Sequence, residues 1–204
     1  MGPLLIGVLL VLGIIVLLVL ILGGMGIGIY NQLVTLRNDF KNQFAQIDVQ
    51  LKRRHDLIPN LVETAKGYMA HERGTLDEVT AARNGAAAAR QQAATDPTDA
   101  AAVQKVVAAE GALTQSLGRL FAVAEAYPNL KANETMLQLQ NELTTTENRI
   151  SVARQSYNNS VQIYNTQREI FPNSILAGMF NFAPASLYEI VDPADREVPK
   201  VSFN

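Results

Sequence analysis

The sequence opens with a long apolar run and continues as a polar chain with helical periodicity. Between Leu4 and Ile29 no side chain carries a charge, an amide or a hydroxyl, and Arg37 is the first charged residue. A helix over residues 4–29 is about 39 Å long, whereas the hydrocarbon core of a bilayer is about 30 Å thick. The pattern therefore predicts a transmembrane anchor over residues 1–29, with length to spare for tilt.

A secretory signal peptide is the alternative interpretation of this stretch. Signal peptides carry a basic N-terminal region, a shorter apolar core and an A-x-A-like cleavage site, and residues 1–29 show none of these features. We therefore expect an uncleaved anchor. Basic residues follow the span, at Arg37, Lys41 and residues 52–54, and none precedes it. The positive-inside rule then predicts an N-terminus outside the cell and a cytoplasmic C-terminal domain.

Two glycines near the end of the span, Gly24 and Gly28, are four residues apart. This spacing of small residues lets transmembrane helices pack closely against each other. The alternative is a frayed helix end, because glycine destabilises helices.

Four helical stretches follow the span. The first, about residues 30–72, has apolar residues at alternating steps of three and four, which is a heptad seam that faces a partner helix. The others cover about residues 76–94, 98–126 and 133–170. In the last stretch a large apolar residue recurs every seven positions, at Met136, Leu143, Ile150, Tyr157, Tyr164 and Phe171. The predicted fold is all-α, with the transmembrane helix continuing into an antiparallel four-helix bundle over residues 30–172 with coiled-coil-like seams.

Three local signals refine the first two helices. Gly74 is expected to end the first helix as its C-terminal cap. Thr75 and Glu78 have the spacing of a capping box that begins the second. Pro59 lies inside the first helix, where its missing N–H and its ring are expected to cause a local kink.

Residues 173–204 are predicted to form a short apolar segment followed by an extended tail that contains several prolines. In an up-and-down bundle the fourth helix returns to the membrane end. The apolar segment then lies in the membrane interface or packs over the open end of the bundle, and both alternatives remain open. Its apolar residues are Ile175, Leu176, Met179, Phe180 and Phe182.

Composition narrows the possible chemistry. The 204-residue chain has a formal charge of −2, no cysteine and two histidines. It lacks the basic footprint of a nucleic-acid-binding protein. His55 and His71 are too far apart on one helix to share a metal ion, and the sequence has neither a G-x-S-x-G turn nor a phosphate-binding glycine loop. We predict no catalytic residue, no metal site, no cofactor and no enzymatic activity.

The polar residues with the best claim to a specific role lie on the helix seams. Arg54, Tyr157 and Tyr164 fall on seam positions, and Tyr-Asn pairs recur one heptad apart, at residues 157–158 and 164–165. One interpretation is a buried or inter-subunit polar network that fixes register and partner choice. The other is ordinary solvated charge on long helices, which contributes little energy.

Three stretches resemble the LemA family of bacterial membrane proteins: YNQLVTLRNDFKNQFAQIDVQLKRRHDLIPNLVETAKGYMAHE, AEAYPNLKANETMLQLQNELTTTENRISVARQSYNNSVQIYNT and REIFPNSILAGMFNF. The resemblance extends from the anchor to about Tyr188. It implies a single N-terminal span in the bacterial inner membrane with the N-terminus outside, a bromodomain-like four-helix bundle, and no established enzymatic activity. Phe44 is a departure, since the family often has Trp there.

The family-motif residues that the resemblance carries over are candidates for an interface. They are Arg53, Arg54, Asp56, Pro59, Asn60, Glu125, Tyr127, Pro128, Lys131, Asn133, Glu147, Arg149, Arg154, Tyr157, Asn158, Tyr164, Asn165 and Pro172.

Two functional hypotheses follow. The first is a membrane-anchored scaffold that self-associates into a homo-oligomer and organises the lipid bilayer. The second is an adaptor or signalling module that binds an unidentified membrane or cytoplasmic protein through Arg53, Arg54 and the Tyr-Asn pairs. Neither hypothesis includes a nucleic-acid partner.

Overall fold

The computed structural model describes residues 2–189, without the side chains of residues 3–6. The described part of the chain is helical and contains no β-strand. Its six helices are α1 (Pro3–Lys66), α2 (Arg73–Thr95), α3 (Ala100–Ala124), α4 (Pro128–Lys131), α5 (Glu134–Glu169) and α6 (Asn173–Met179). The all-α architecture predicted from the sequence is confirmed, with α1, α2, α3 and α5 as the four long helices of a bundle.

The anchor and the first bundle helix are one continuous helix. The structure confirms the continuation that the sequence predicts, and the helix also runs through Pro59. The side chains of residues 7–25 are exposed, and this helix is long and apolar enough to cross a membrane.

The turn between α1 and α2 corrects two predictions about helix ends. α1 ends at Lys66 with Gly67 as its C-cap, because the backbone N–H groups of Tyr68 and Met69 both bond to the carbonyl of Ala65. Gly74 and Thr75 lie inside α2, since the backbone N–H of Thr75 already bonds to the carbonyl of Glu72. Gly74 is therefore not a C-cap, and Thr75 does not cap a helix.

The other two long helices begin at side-chain caps. The Asp99 carboxylate accepts hydrogen bonds from the N–H groups of Ala101 and Ala102 at the start of α3, and Asn133 accepts one from Met136 at the start of α5. Such caps satisfy N–H groups that have no partner within the helix. They place both helix starts within two residues of the predicted positions.

The bundle is built from two antiparallel pairs, with α1 packed mainly on α5 and α2 mainly on α3. Its core has two apolar clusters. The cluster nearer the membrane span contains Phe40, Phe44, Tyr157 and Tyr164, and the distal one includes Leu61, Leu113, Leu120 and Met136. The heptad residues of α5 from Met136 to Tyr164 are buried, but Phe171 is 80% exposed because α5 ends at Glu169.

The chain reverses after α5 and runs back along the bundle. Helix α6 is a structured element within the tail that the sequence did not predict. Phe180 and Asn181 form a turn after it, in which Asn181 adopts φ 53°. Residues 182–189 follow without regular secondary structure. We call residues 182–188 the strap.

Candidate functional site

A buried ionic layer separates the two apolar clusters. Arg54 donates from Nη1 to Glu110 Oε2 (3.1 Å) and from Nη2 to Thr114 Oγ1 (2.7 Å). His55 Nε2 lies 2.7 Å from Glu110 Oε1, and Glu147 Oε2 lies 3.4 Å from Arg54 Nη1. Arg54, His55 and Glu110 are buried. The layer therefore joins α1 to α3 and α5, and losing one of its partners would leave an uncompensated buried charge.

The two Tyr-Asn pairs of α5 hold the strap through its backbone. Asn165 donates from Nδ2 to Ala185 O (2.9 Å) and accepts from Ala185 N (3.0 Å). Asn158 makes the same pair of hydrogen bonds with Tyr188, donating from Nδ2 to Tyr188 O (3.3 Å) and accepting from Tyr188 N (2.8 Å). An amide side chain has both a donor and an acceptor, so one Asn can satisfy both polar groups of a single residue. We call these pairs the strap clamp.

The tyrosines of the clamp complete it from inside the core. The hydroxyl of Tyr157 donates to Ser186 O and that of Tyr164 to Ala183 O, both at 2.8 Å. Burial raises the pKa of Tyr157 and of Tyr164 above the ordinary value of 10.0. Both hydroxyls therefore stay protonated and remain hydrogen-bond donors at neutral pH.

Two further residues secure the strap from its sides. Arg168 donates from Nε to Phe182 O (2.8 Å), and Gln104 of α3 donates from Nε2 to Leu187 O (3.0 Å). The strap buries the side chains of every third residue, namely Phe182, Ala185 and Tyr188. The strap thus fills the membrane-proximal part of a gap between α3 and α5.

The remaining family-motif residues occupy three other places. Arg53, about half exposed, lies 3.8 Å from Glu142, and Arg154 stacks over the Tyr188 ring at 5.0 Å. At the distal turn Tyr127 donates to Glu72, and Lys131 pairs with Glu125. The other side chains are exposed or partly exposed; they are Asp56, Pro59, Asn60, Pro128, Arg149 and Pro172.

Exposed apolar residues surround the end of the bundle from which the apolar part of α1 emerges. We call this set the apolar shelf, and it consists of Ile170, Phe171, Ile175, Met179 and Phe180. Phe180 contacts Tyr30 edge-to-face at 4.9 Å between ring centroids. A Cβ added at Gly26 would lie 3.6 Å from Leu176. The shelf is therefore level with the transition from apolar to polar residues in α1.

The structure divides the residues expected at the membrane interface into two groups. Ile175, Met179 and Phe180 are exposed on the shelf, whereas Phe182 is the first buried residue of the strap. Leu176 is partly buried beside Gly26. Gly24 and Gly28 are exposed, and a Cβ at either position would meet no atom within 4 Å. Any close packing at these glycines must therefore come from outside this chain.

The sequence analysis missed one charged residue of the ionic layer, Glu110. A signal for it exists, because Val103, Val106, Val107, Glu110 and Leu113 follow one helical face, so that Glu110 falls within an apolar stripe. Within residues 2–189 no group of three or more His, Asp or Glu side chains is placed to hold a metal ion.

Comparison with known proteins gives a family and a small set of relatives. Residues 43–203 match the LemA family. Magnetosome proteins MamQ 1 and MamQ 2 of Paramagnetospirillum magneticum are each 25% identical to this chain over 175 residues, which cover 78% of this chain and 64% of the relative. Magnetosome protein MamQ of Magnetospirillum gryphiswaldense is 25% identical over 168 residues, with coverage of 75% and 62%. This chain therefore spans less than two thirds of the length of these relatives.

Proposed function

Because the chain belongs to the LemA family and carries a helix able to cross a membrane, we propose that it is a membrane-anchored, non-enzymatic scaffold whose copies associate with one another. The continuity of α1 carries this proposal. One helix, Pro3–Lys66, provides both the apolar span and a core helix of the bundle. A bundle joined in this way has a fixed orientation on the bilayer, as a repeating scaffold unit requires.

The apolar shelf supports a second contact with lipid. Its side chains are exposed beside the apolar part of α1, so insertion into the interface would bury them. Burial of a large apolar side chain is worth about 1.5–3 kcal/mol. A span and a shelf together would restrict rotation and tilt of the bundle.

Two surfaces are available for association between copies. Gly24 and Gly28 present a small-residue face on the span, which favours close helix packing in membranes. On the bundle, the outward face of α5 carries the exposed apolar residues Val152 and Ile163. The glycine face of the span carries no charged side chain, so like-charge repulsion would not oppose contact between two spans.

The distribution of basic residues supports a location of the bundle on the cytoplasmic side of the membrane. Arg37, Lys41 and residues 52–54 follow the span on the bundle side. Cytoplasmic segments near a span carry an excess of Lys and Arg. The proposed location is thus the bacterial inner membrane, with the N-terminus outside.

The adaptor hypothesis loses most of the surface on which it depends. Arg54 is buried in the ionic layer, and the Tyr-Asn pairs bind the strap of the same chain. Of the residues proposed for docking a partner protein, Arg53 keeps a half-exposed side chain. The scaffold is therefore the proposal that the geometry favours.

Disulfide trapping in native membranes tests association along the span, since the natural chain has no cysteine. The test variants are Gly24→Cys and Gly28→Cys. The matched control is Leu22→Cys, an exposed position that faces roughly the opposite side of α1. We expect disulfide-linked dimers at positions 24 and 28 to exceed those at position 22 several-fold. Equal yields at all three positions would contradict packing through the glycine face.

A further inference from the structure

Two arginines lie on the bundle side of the apolar shelf, one on α1 and one on α5. The Arg37 guanidinium stacks over the Phe182 ring at 5.0 Å from the ring centroid, and Arg168 Nε donates to Phe182 O at 2.8 Å. Phe182 therefore brings the two cations together. Both arginines are partly exposed, so both can be reached by a ligand from outside the chain.

A row of aromatic rings connects these arginines to the shelf. Phe180 of the shelf contacts Tyr30 at 4.9 Å between ring centroids, and Tyr30 contacts Phe182 at 5.6 Å. Phe182 in turn carries Arg37. The side chains of a helix lean toward its N-terminus, which in α1 is the end that carries the span. The Arg37 side chain is therefore directed toward the shelf.

Arg37 has a hydrogen-bond donor that residues 2–189 leave unused. Its Nε is shielded from water and has no acceptor within this range, and none of the ion pairs in the same range includes Arg37. Asp39 follows two residues later but is exposed and lies about 200° around the helix. Because a shielded donor without an acceptor costs free energy, this position favours an added anion.

Arg168 is paired weakly and adds to the same positive field. Its Nη1 lies 3.2 Å from Glu169 Oε1, and the Glu169 side chain is 71% exposed. Exposed ion pairs contribute little energy, so another anion can replace this carboxylate. Burial raises the pKa of the Tyr164 hydroxyl, and the charges of Arg168 and Arg37 both oppose that rise. The two arginines thus act on one region at the membrane end of the bundle.

We propose that Arg37 and Arg168 bind the phosphate of an anionic membrane lipid whose acyl chains contact the apolar shelf, an inference that rests on the proposed anchoring of the bundle at the membrane. Guanidinium groups bind phosphate through charge-assisted hydrogen bonds. The phosphate supplies acceptors to Arg37 and replaces the Glu169 carboxylate at Arg168. Basic groups at the membrane surface favour lipids with a net negative charge.

Native mass spectrometry of the full-length protein tests this proposal. The protein is released from nanodiscs made of an equimolar mixture of phosphatidylglycerol and phosphatidylcholine, and the lipids that stay bound are counted. The natural chain should retain phosphatidylglycerol in at least about fivefold excess, the factor expected for one Arg near an anionic surface. Arg37→Gln should lose most of this preference. Equal retention of the two lipids by the natural chain would overturn the proposal.

Two further variants control for charge and for folding. Arg53→Gln removes the same charge from α1 about 24 Å further from the span and should keep the natural preference. Glu169→Gln changes an exposed side chain and frees Arg168, so it should raise the preference even if Arg37→Gln fails to fold. The same loss in Arg37→Gln and Arg53→Gln, or no rise in Glu169→Gln, would overturn the assignment.

Inorganic phosphate distinguishes a lipid site from a site for a soluble anion. Compared with chloride at the same ionic strength, phosphate should leave the retained phosphatidylglycerol in place, because it lacks acyl chains that contact the shelf. Displacement of the lipid by phosphate would overturn the lipid assignment.

The same spectra count the protein chains in each particle, which separates this proposal from the proposed self-association. Single chains that prefer phosphatidylglycerol would contradict the scaffold and support the lipid site. Particles of several chains without a lipid preference would support the scaffold and overturn the lipid site.

Discussion

Asn165 and Ala185 exchange two hydrogen bonds, so that one side chain of α5 satisfies both backbone polar groups of a strap residue. Asn158 repeats this arrangement with Tyr188 one heptad away. The clamp recognises the backbone, and the side chains at every third strap residue supply the apolar contacts. This division of roles explains how an extended segment can be held without joining a β-sheet.

Removing the Asn165 amide should weaken the clamp without disturbing α5. In Asn165→Ala the N–H and C=O of Ala185 lose their partners, and each unsatisfied group costs about 1–3 kcal/mol when buried. We expect the free energy of unfolding to fall by about 2 kcal/mol in urea titrations. The matched control is Asn159→Ala, an exposed neighbour on the same helix, which should change stability by less than about 0.5 kcal/mol. Equal effects of the two substitutions would argue against a clamp.

Glu110 should be the most sensitive charged position in the bundle. Glu110→Ala leaves Arg54 charged and buried without its closest carboxylate, and breaking a buried pair in this way costs about 3–5 kcal/mol. Glu142→Ala is the control, because Glu142 pairs with Arg53 in an exposed position, where such pairs contribute about 0–1 kcal/mol. Denaturant unfolding of both variants measures the difference. A loss below about 1 kcal/mol for Glu110→Ala would show that the ionic layer is dispensable.

Stability should decrease at alkaline pH because of the clamp tyrosines. Burial raises the pKa of Tyr157 in the folded protein, so above about pH 10 the unfolded chain loses a proton that the folded chain keeps. The stabilisation is therefore complete below the unfolded pKa and declines as the pH rises above it. Urea titrations from pH 8 to 11 should show this decline in the natural chain and a shallower one in Tyr157→Phe. Identical pH profiles for the two proteins would contradict the assignment.

The apolar shelf can be tested with a fluorescent reporter, since the natural chain has no tryptophan. Met179→Trp places a single indole on the shelf, and Val152→Trp places one at a similarly exposed site on the outward face of α5. In liposomes we expect blue-shifted emission and strong quenching by doxyl-labelled lipids for Met179→Trp alone. Emission typical of water from both variants would show that the shelf does not enter the interface.

The repeating part of the fold could be predicted from the sequence, and the strap could not. Heptad spacing identified the buried face of α5 from Met136 to Tyr164, because packing against a neighbouring helix demands that period. The partners of Asn158 and Asn165 lie in an irregular segment 20 to 30 residues away. No periodicity in the sequence links an amide to the backbone of such a segment.

At two other places the structure differs from the sequence prediction, and each difference lies at a helix end. The sequence placed Gly74 and Thr75 at a helix boundary, but α1 already ends at Lys66, where the N–H groups of Tyr68 and Met69 bond to the carbonyl of Ala65. Phe171 continues the heptad count of α5 but lies beyond the end of that helix at Glu169. Its exposure adds it to the apolar shelf instead of the core.

The mass of the full-length protein in its lipid environment tests self-association most directly. The protein would be extracted into nanodiscs with native lipid and measured by light scattering and single-particle imaging, with Gly24→Leu/Gly28→Leu as the matched variant. The scaffold account predicts particles that contain several copies of the 22.2 kDa chain, and fewer copies in the variant. Strictly single copies across extraction conditions, together with no cross-linked product in cells, would contradict it.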